Sequence, residues 1–170
     1  MVKIPNWLRF GAIGLLVLAL VIVAVATAKD ETKPKVAKTP TSACGPYRKD
    51  GSVAINGQTF ATEIARNPAE FEKGLGGRPC ILPDQAMLFG FTKPGQYKFW
   101  MKGMNFPIDI LWINSVHRVA AIEIDVQPST YHSQNPYFIN DSQHPAQYVL
   151  EIKANQAKEL NIQLGTPVRF

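Results

Sequence analysis

The sequence predicts a mainly β fold of sandwich or barrel type, and three observations carry that prediction. Short apolar runs, alternating or continuous, recur from residue 52 to the C-terminus and are separated by Gly, Pro and Asn turns. Only two short helix signals occur in that region, at residues 67–74 and 155–160. No apolar run is followed by the long amphipathic helix that a βαβ fold would need before its next strand.

Before that region the chain reads differently. Lys3 and Arg9 precede an apolar and small-residue run from Phe10 to Ala28, closed by Lys29. The run is long enough to cross a bilayer as a helix. Ala26-Thr27-Ala28 also fits a signal-peptide cleavage site, although the run exceeds a usual signal core. Residues 1–28 are therefore expected to be a transmembrane anchor, with a cleaved signal peptide as the alternative. Either places the remainder outside the cytoplasm, tethered to the cell membrane or released to the periplasm or medium. Residues 29–43 are polar, contain Pro34 and Pro40, and have no periodicity, which predicts a flexible tether.

Charge follows the same division. Of 18 Lys and Arg, six precede residue 44, against two of 13 Asp and Glu, so only +1 of the net +5 belongs to residues 44–170. The basic balance suits anionic headgroups near the membrane. It does not suit nucleic acid, because no basic patch interleaved with aromatics appears in the domain.

Cys44 and Cys80 are the two cysteines of the chain. In an exported protein they are expected to pair, since neither has a His or second Cys at metal-ligand spacing. The domain, residues 44–170, is large enough for its own core. Residues 52–64 read as a hairpin about Asn56-Gly57. In residues 66–74, Asn67 is a good N-cap, Pro68 suits the first helical position and Gly74 can end the helix. Met87 to Phe91 reads as a buried strand, followed by a turn at Lys93-Pro94-Gly95.

The most informative stretch is residues 96–113. Tyr97, Phe99 and Met101 alternate with Lys98, Trp100 and Lys102, and Ile108 to Ile113 is apolar except at Asp109. With Gly103 and Pro107 between them, the two runs predict a central antiparallel hairpin. Residues 118–126 and 148–152 supply further strands, and residues 164–170 a turn and terminal strand. The long polar and aromatic segment from Gln127 to Pro145 is of a length usually reserved for functional or disordered loops.

These motifs resemble the DUF192 (UPF0127) family. The resemblance rests on Gly74-Leu75 with Arg78, Leu82-Pro83, Met87-Leu88-Phe89, Phe99-Trp100-Met101-Lys102, Pro107-Ile108-Asp109-Ile110-Leu111 and Tyr148 to Ile152. It implies a compact jelly-roll-like domain, exported or membrane-attached, and it implies no activity. The chain departs from the pattern at Gly103-Met104, where Asn-Thr is usual, at Gly165-Thr166, where Gly-Asp is usual, and at Gly90 and Cys80.

Arg78, Trp100, Lys102, Asp109 and Glu151 are the candidate ligand-binding residues. A carboxylate inside an apolar strand needs a partner, and Lys102 or Arg78 is the expected partner of Asp109, in a structural ion pair rather than a catalytic one. Trp100 and Trp112 offer faces for a sugar, although strand aromatics more often pack as core. His132, His144 and Asp141 lack the spacing of a metal site, and no metal or cofactor is expected. No nucleophile elbow or nucleotide-binding loop is present. The expected function is a membrane-tethered extracytoplasmic domain that binds a small envelope ligand or a partner protein. The alternative is a cell-envelope carbohydrate hydrolase or transferase using Asp109 and Glu151.

Overall fold

The computed structural model of the chain describes residues 44–170. The expected anchor and tether, residues 1–28 and 29–43, lie outside the described residues. Among the described residues no helix is long and apolar enough to cross a membrane.

The strands are β1 (Gly51–Ile55), β2 (Gln58–Ile64), β3 (Gln85–Gly95), β4 (Lys98–Trp100), β5 (Ile108–Ile113), β6 (Val119–Val126), β7 (Tyr137–Ile139), β8 (Ala146–Lys153) and β9 (Val168–Arg169). Two short helices, α1 (Pro68–Lys73) and α2 (Gln156–Glu159), complete the set with a 3₁₀ turn at Pro128–His132. Among the described residues, seven strands form one sheet in the order β6-β5-β8-β3-β2-β1-β9, and β4 pairs with β7 in a separate ribbon. Every pairing is antiparallel except β2 with β3. The large sheet curls until its edges meet at one end. There Val119 N–H donates to Thr166 O (3.0 Å) and Val168 N–H to His117 O (2.9 Å). The architecture is thus a curled half-barrel, a single sheet where the resemblance implied two packed ones.

Period-2 alternation on β3, β5 and β8 gives the sheet two apolar faces. Leu88, Leu111, Ile113, Leu150 and Ile152 fill the concave interior with Val53, Phe60 and Val168. Met87, Phe89, Ile108, Ile110, Trp112 and Val149 point outward and are covered by Leu75, Ile81, Met101 and the aromatics around β4 and β7. This is why β5 reads as apolar throughout. All six of its residues are buried because both faces are covered and both edges are bonded, to β6 and β8.

That double pairing overturns the expected 96–113 hairpin. β5 has no free edge for β4, so β4 takes β7 from the long polar segment, with Trp100 opposite Tyr137 and Phe99 opposite Phe138. Asn140, 1% exposed, fixes the ribbon. It accepts the Tyr97 N–H (2.9 Å) and donates to Gly95 O (3.1 Å) and His144 O (2.8 Å). The expected turn at Lys93-Pro94-Gly95 is instead the far end of β3. The other local readings agree with the structure. Asn56 and Gly57 take the positive φ values of a tight hairpin turn (44° and 83°). Asn67 caps α1 by accepting the Glu70 N–H (3.0 Å). At Gly90, the position where the family usually has an apolar residue, the ring of Tyr148 lies 3.7 Å from where a Cβ would stand.

Cys44 and Cys80 are disulfide-bonded, with their Cα atoms 4.8 Å apart. The bond ties the start of the domain to the loop before β3. Three residues on, the Tyr47 hydroxyl accepts the N–H groups of Ala86 (3.0 Å) and Glu63 (3.2 Å), pinning the parallel β2–β3 pair. Burial pushes this phenol up to about 12.

Candidate functional site

The outer face of the sheet carries a row of four side chains across β2, β3, β8 and β5: Glu63, Met87, Glu151 and Ile110. Both glutamates are buried, at 3% and 4% exposure, which is expensive for a carboxylate unless a partner is supplied. Glu63 is fully supplied. Arg78, from the loop after α1, makes a bidentate pair with it (2.9 and 2.7 Å), and the Arg48 N–H adds a third bond (2.9 Å).

Glu151 is not. The Leu75 N–H dipole and the Arg78 charge both favour its ionised form. Its Oε2 nevertheless has no hydrogen-bond partner. Burial dominates and pushes its carboxyl up to about 8, so it is chiefly protonated at neutral pH.

A cavity of about 390 Å³ opens onto this carboxyl. Its walls include Phe71 of α1, Phe91 of β3, and Tyr97, Phe99 and Trp100 at β4; Glu72, Lys73, Lys98 and Lys102 contribute charge to the same lining. The aromatics brace one another. Phe91 and Tyr97 stack at 3.5 Å, Phe71 meets Phe91 edge-on at 5.5 Å, and Trp100 leans on Tyr137 at 5.4 Å. Gly74 keeps the cavity open to its floor. A Cβ there would lie 3.5 Å from Glu151 Oε2, and the residue sits at φ 48°, which disfavours any side chain. A helix cap and a cavity wall are thus the same residue.

Trp100, Lys102 and Glu151, three of the residues singled out in the sequence, line this one cavity. Lys102 pairs with Glu72 (2.7 Å) and stands 5.8 Å from the Trp100 ring. Arg78 lies beneath the cavity, committed to Glu63. Asp109 belongs elsewhere, and its expected pairing with Lys102 or Arg78 is corrected. Its carboxylate accepts three backbone N–H groups, from Asp125 (2.8 Å), Asn155 (2.8 Å) and Ala157 (2.7 Å). On β5 it alternates with Ile108 and Ile110, so it points to the concave face while Glu151 points outward. The two carboxyls cannot act on one glycosidic bond, which removes the geometry of the hydrolase alternative. Trp112 is core and gives its indole N–H to Tyr97 O (2.9 Å).

Sequence reasoning missed Glu63, Gly74 and the Phe71, Phe91, Tyr97 and Phe99 walls. A glutamate in an apolar strand was the available signal for Glu63, the same signal that marked Glu151. His144 and Asp141 form an exposed pair at 3.3 Å. Among the described residues no group of three His, Cys, Asp or Glu side chains is placed to hold a metal ion.

The profile of DUF192, described as "Uncharacterized ACR", matches residues 51–170, which run from β1 to β9 and include the whole cavity. The chain belongs to the DUF192 family. Two crystal structures resemble this DUF192 domain. One is a protein of unknown function from Novosphingobium aromaticivorans, 27% identical, with a TM-score of 0.64 over 79% of this chain and 99% of that one. The other, from Sinorhizobium meliloti, is provisionally described as a transcription regulator. It is 31% identical, with a TM-score of 0.61 over 74% of this chain and 97% of that one. No curated protein matches the chain.

Proposed function

We propose that this DUF192 protein is a membrane-tethered extracytoplasmic binding domain whose outer-face cavity takes a small ligand. The single observation that carries the reading is Glu151 Oε2, a buried polar atom without a partner at the floor of an aromatic cavity. A fold leaves such an atom unpaired at a cost of about 1–3 kcal/mol, and a ligand that pairs it recovers that cost. Cavities of this size with apolar walls and few polar groups are the usual form of small-molecule sites. The Cys44–Cys80 bond supports an oxidising compartment, and the apolar run at residues 10–28 supports the tether. The description of one relative as a transcription regulator finds little support here, since residues 44–170 carry a net charge of only +1.

A fragment screen by NMR on the full-length protein in detergent micelles tests the reading. Binders should shift resonances of Phe71, Phe91, Trp100 and Glu151 together. A library of several hundred polar aromatics that shifts none of these four would remove the cavity as the site.

A further inference from the structure

We propose that the ligand is a primary amine on a flat apolar body with an anionic group at its far end, its ammonium bound by Glu151. The inference rests on the cavity being the binding site and deepens it to a chemical class.

Charge on the floor points to the ammonium. Two buried carboxyls, Glu63 and Glu151, share one guanidinium, and Arg78 gives both its terminal nitrogens to Glu63. Glu151 is left with no side-chain partner and with nothing on Oε2. An ionised Glu151 would have no cation of its own, and an ammonium supplies both that charge and N–H donors for Oε2. The walls agree, because Phe71, Phe91, Phe99 and Trp100 line the space, and aromatic rings attract ammonium groups over their faces.

The remaining lining decides the far end. Lys73, Lys98 and Lys102 stand against one carboxylate, Glu72, which Lys102 already holds at 2.7 Å. A simple cation meets net positive charge there, whereas a ligand with a carboxylate or phosphate away from its amine is drawn in. The charged and titratable groups in the cavity lining are Glu151 from β8, Glu72 and Lys73 from α1, and Tyr97, Lys98 and Lys102 at β4, with the Glu63–Arg78 pair outside the lining next to Glu151 on the same face. Glu151 is the carboxyl in this set that burial holds chiefly protonated at pH 7 when the cavity is empty. Binding an ammonium therefore moves its proton to solvent. The amine arrives charged, the carboxyl becomes carboxylate, and one proton leaves.

The test uses 4-(aminomethyl)benzoate, which places an ammonium and a carboxylate at opposite ends of one ring. Benzylamine lacks the anion, 4-methylbenzoate lacks the ammonium, and 4-methylbenzyl alcohol lacks both charges. Calorimetry on the full-length protein in detergent micelles at pH 7, in two buffers of different ionisation enthalpy, gives affinity and proton release together. The expected result is that 4-(aminomethyl)benzoate binds at least tenfold more tightly than any control and releases about one proton. Glu151→Gln should abolish that release and weaken binding at least tenfold. Lys98→Ala, a change at an exposed residue, should weaken 4-(aminomethyl)benzoate and leave benzylamine binding equal or tighter, and weakening of both alike would overturn the anionic end. Equal or tighter binding of 4-methylbenzoate or the alcohol would overturn the ammonium assignment while leaving the cavity as the site. Binding of the zwitterion without proton release would overturn the role of Glu151. Failure of all four compounds would overturn the ligand class, and the fragment screen then decides separately whether the cavity binds anything.

Discussion

Two carboxyl groups in adjacent strands show how residue-scale context sets the role of a side chain. Asp109 and Glu151 are both buried in apolar strands, and burial raises the pKa of each. They differ in what surrounds the oxygens. Asp109 holds three amides, two of them belonging to Asp125 and Asn155, which sit at φ 56° and 69°. It ties the irregular end of β6 and the start of α2 to β5. Asp109→Ala would orphan those three amides and should cost at least about 3 kcal/mol of unfolding free energy, at about 1–3 kcal/mol per orphaned group. Lys102 is not its partner, so combining Asp109→Ala with Lys102→Ala should be additive within about 0.5 kcal/mol. Coupling beyond that would restore the ion pair.

Glu151 makes the opposite contribution. Its folded pKa, about 8, lies above the ordinary glutamate value, so the folded state retains a proton that the unfolded state loses. That stabilisation is complete below about pH 4.5 and is lost as pH rises toward 8, on the order of 5 kcal/mol in all. Urea melts across this range should show the decline in the unliganded protein and a flatter profile in Glu151→Gln. Identical profiles would mean that Glu151 is ionised in the folded state.

At the scale of elements, legibility tracked how local the determining interaction is. The β1–β2 hairpin and α1 are fixed by neighbours in sequence, Asn56-Gly57 for one and Asn67, Pro68 and Gly74 for the other, and both were readable. The β4–β7 ribbon was not, because its pairing depends on β5 having spent both edges on strands that lie elsewhere in the chain. Period-2 alternation gives each strand its faces but does not name its partner. The site divides the same way. Glu151 and Trp100 stood out as a carboxyl and an aromatic in strands. The cavity they share exists only once Gly74 of α1 and the ribbon converge over β8. Asn140 is the element-scale test of this. Asn140→Ala removes the bonds to Tyr97, Gly95 and His144 and should cost about 1–3 kcal/mol. Hydrogen exchange should then rise first at Tyr137–Ile139 and Lys98–Trp100. A uniform rise across the sheet would show that the ribbon is not a separate unit.

Across the whole molecule, the described residues pack as part of one compact unit. Among the described residues, the concave core, the outer core and the meeting of the β6 and β9 edges draw on residues 53–168. The first structural link of that unit is the disulfide, which spans a separation of 36 residues. In the chain-entropy picture a loop of that length stabilises the fold by about 3–4 kcal/mol, a large share of the stability of an ordinary domain. Immediately after it, Tyr47 bridges the one parallel strand pair, a pairing that lacks a hairpin to bring it together. Disulfide and phenol therefore act on the same non-local step. A chain beginning at residue 40 should be soluble, oxidised and melt in one cooperative transition without detergent. Reduction of that chain should lower its stability by about 3–4 kcal/mol, and the Tyr47→Phe change should cost less in the reduced chain than in the oxidised one if the bond positions the ring. Equal costs in both states would show that Tyr47 holds the parallel pair unaided. Aggregation of the shortened chain while the full-length protein stays folded in detergent would show that residues before 40 contribute to the fold.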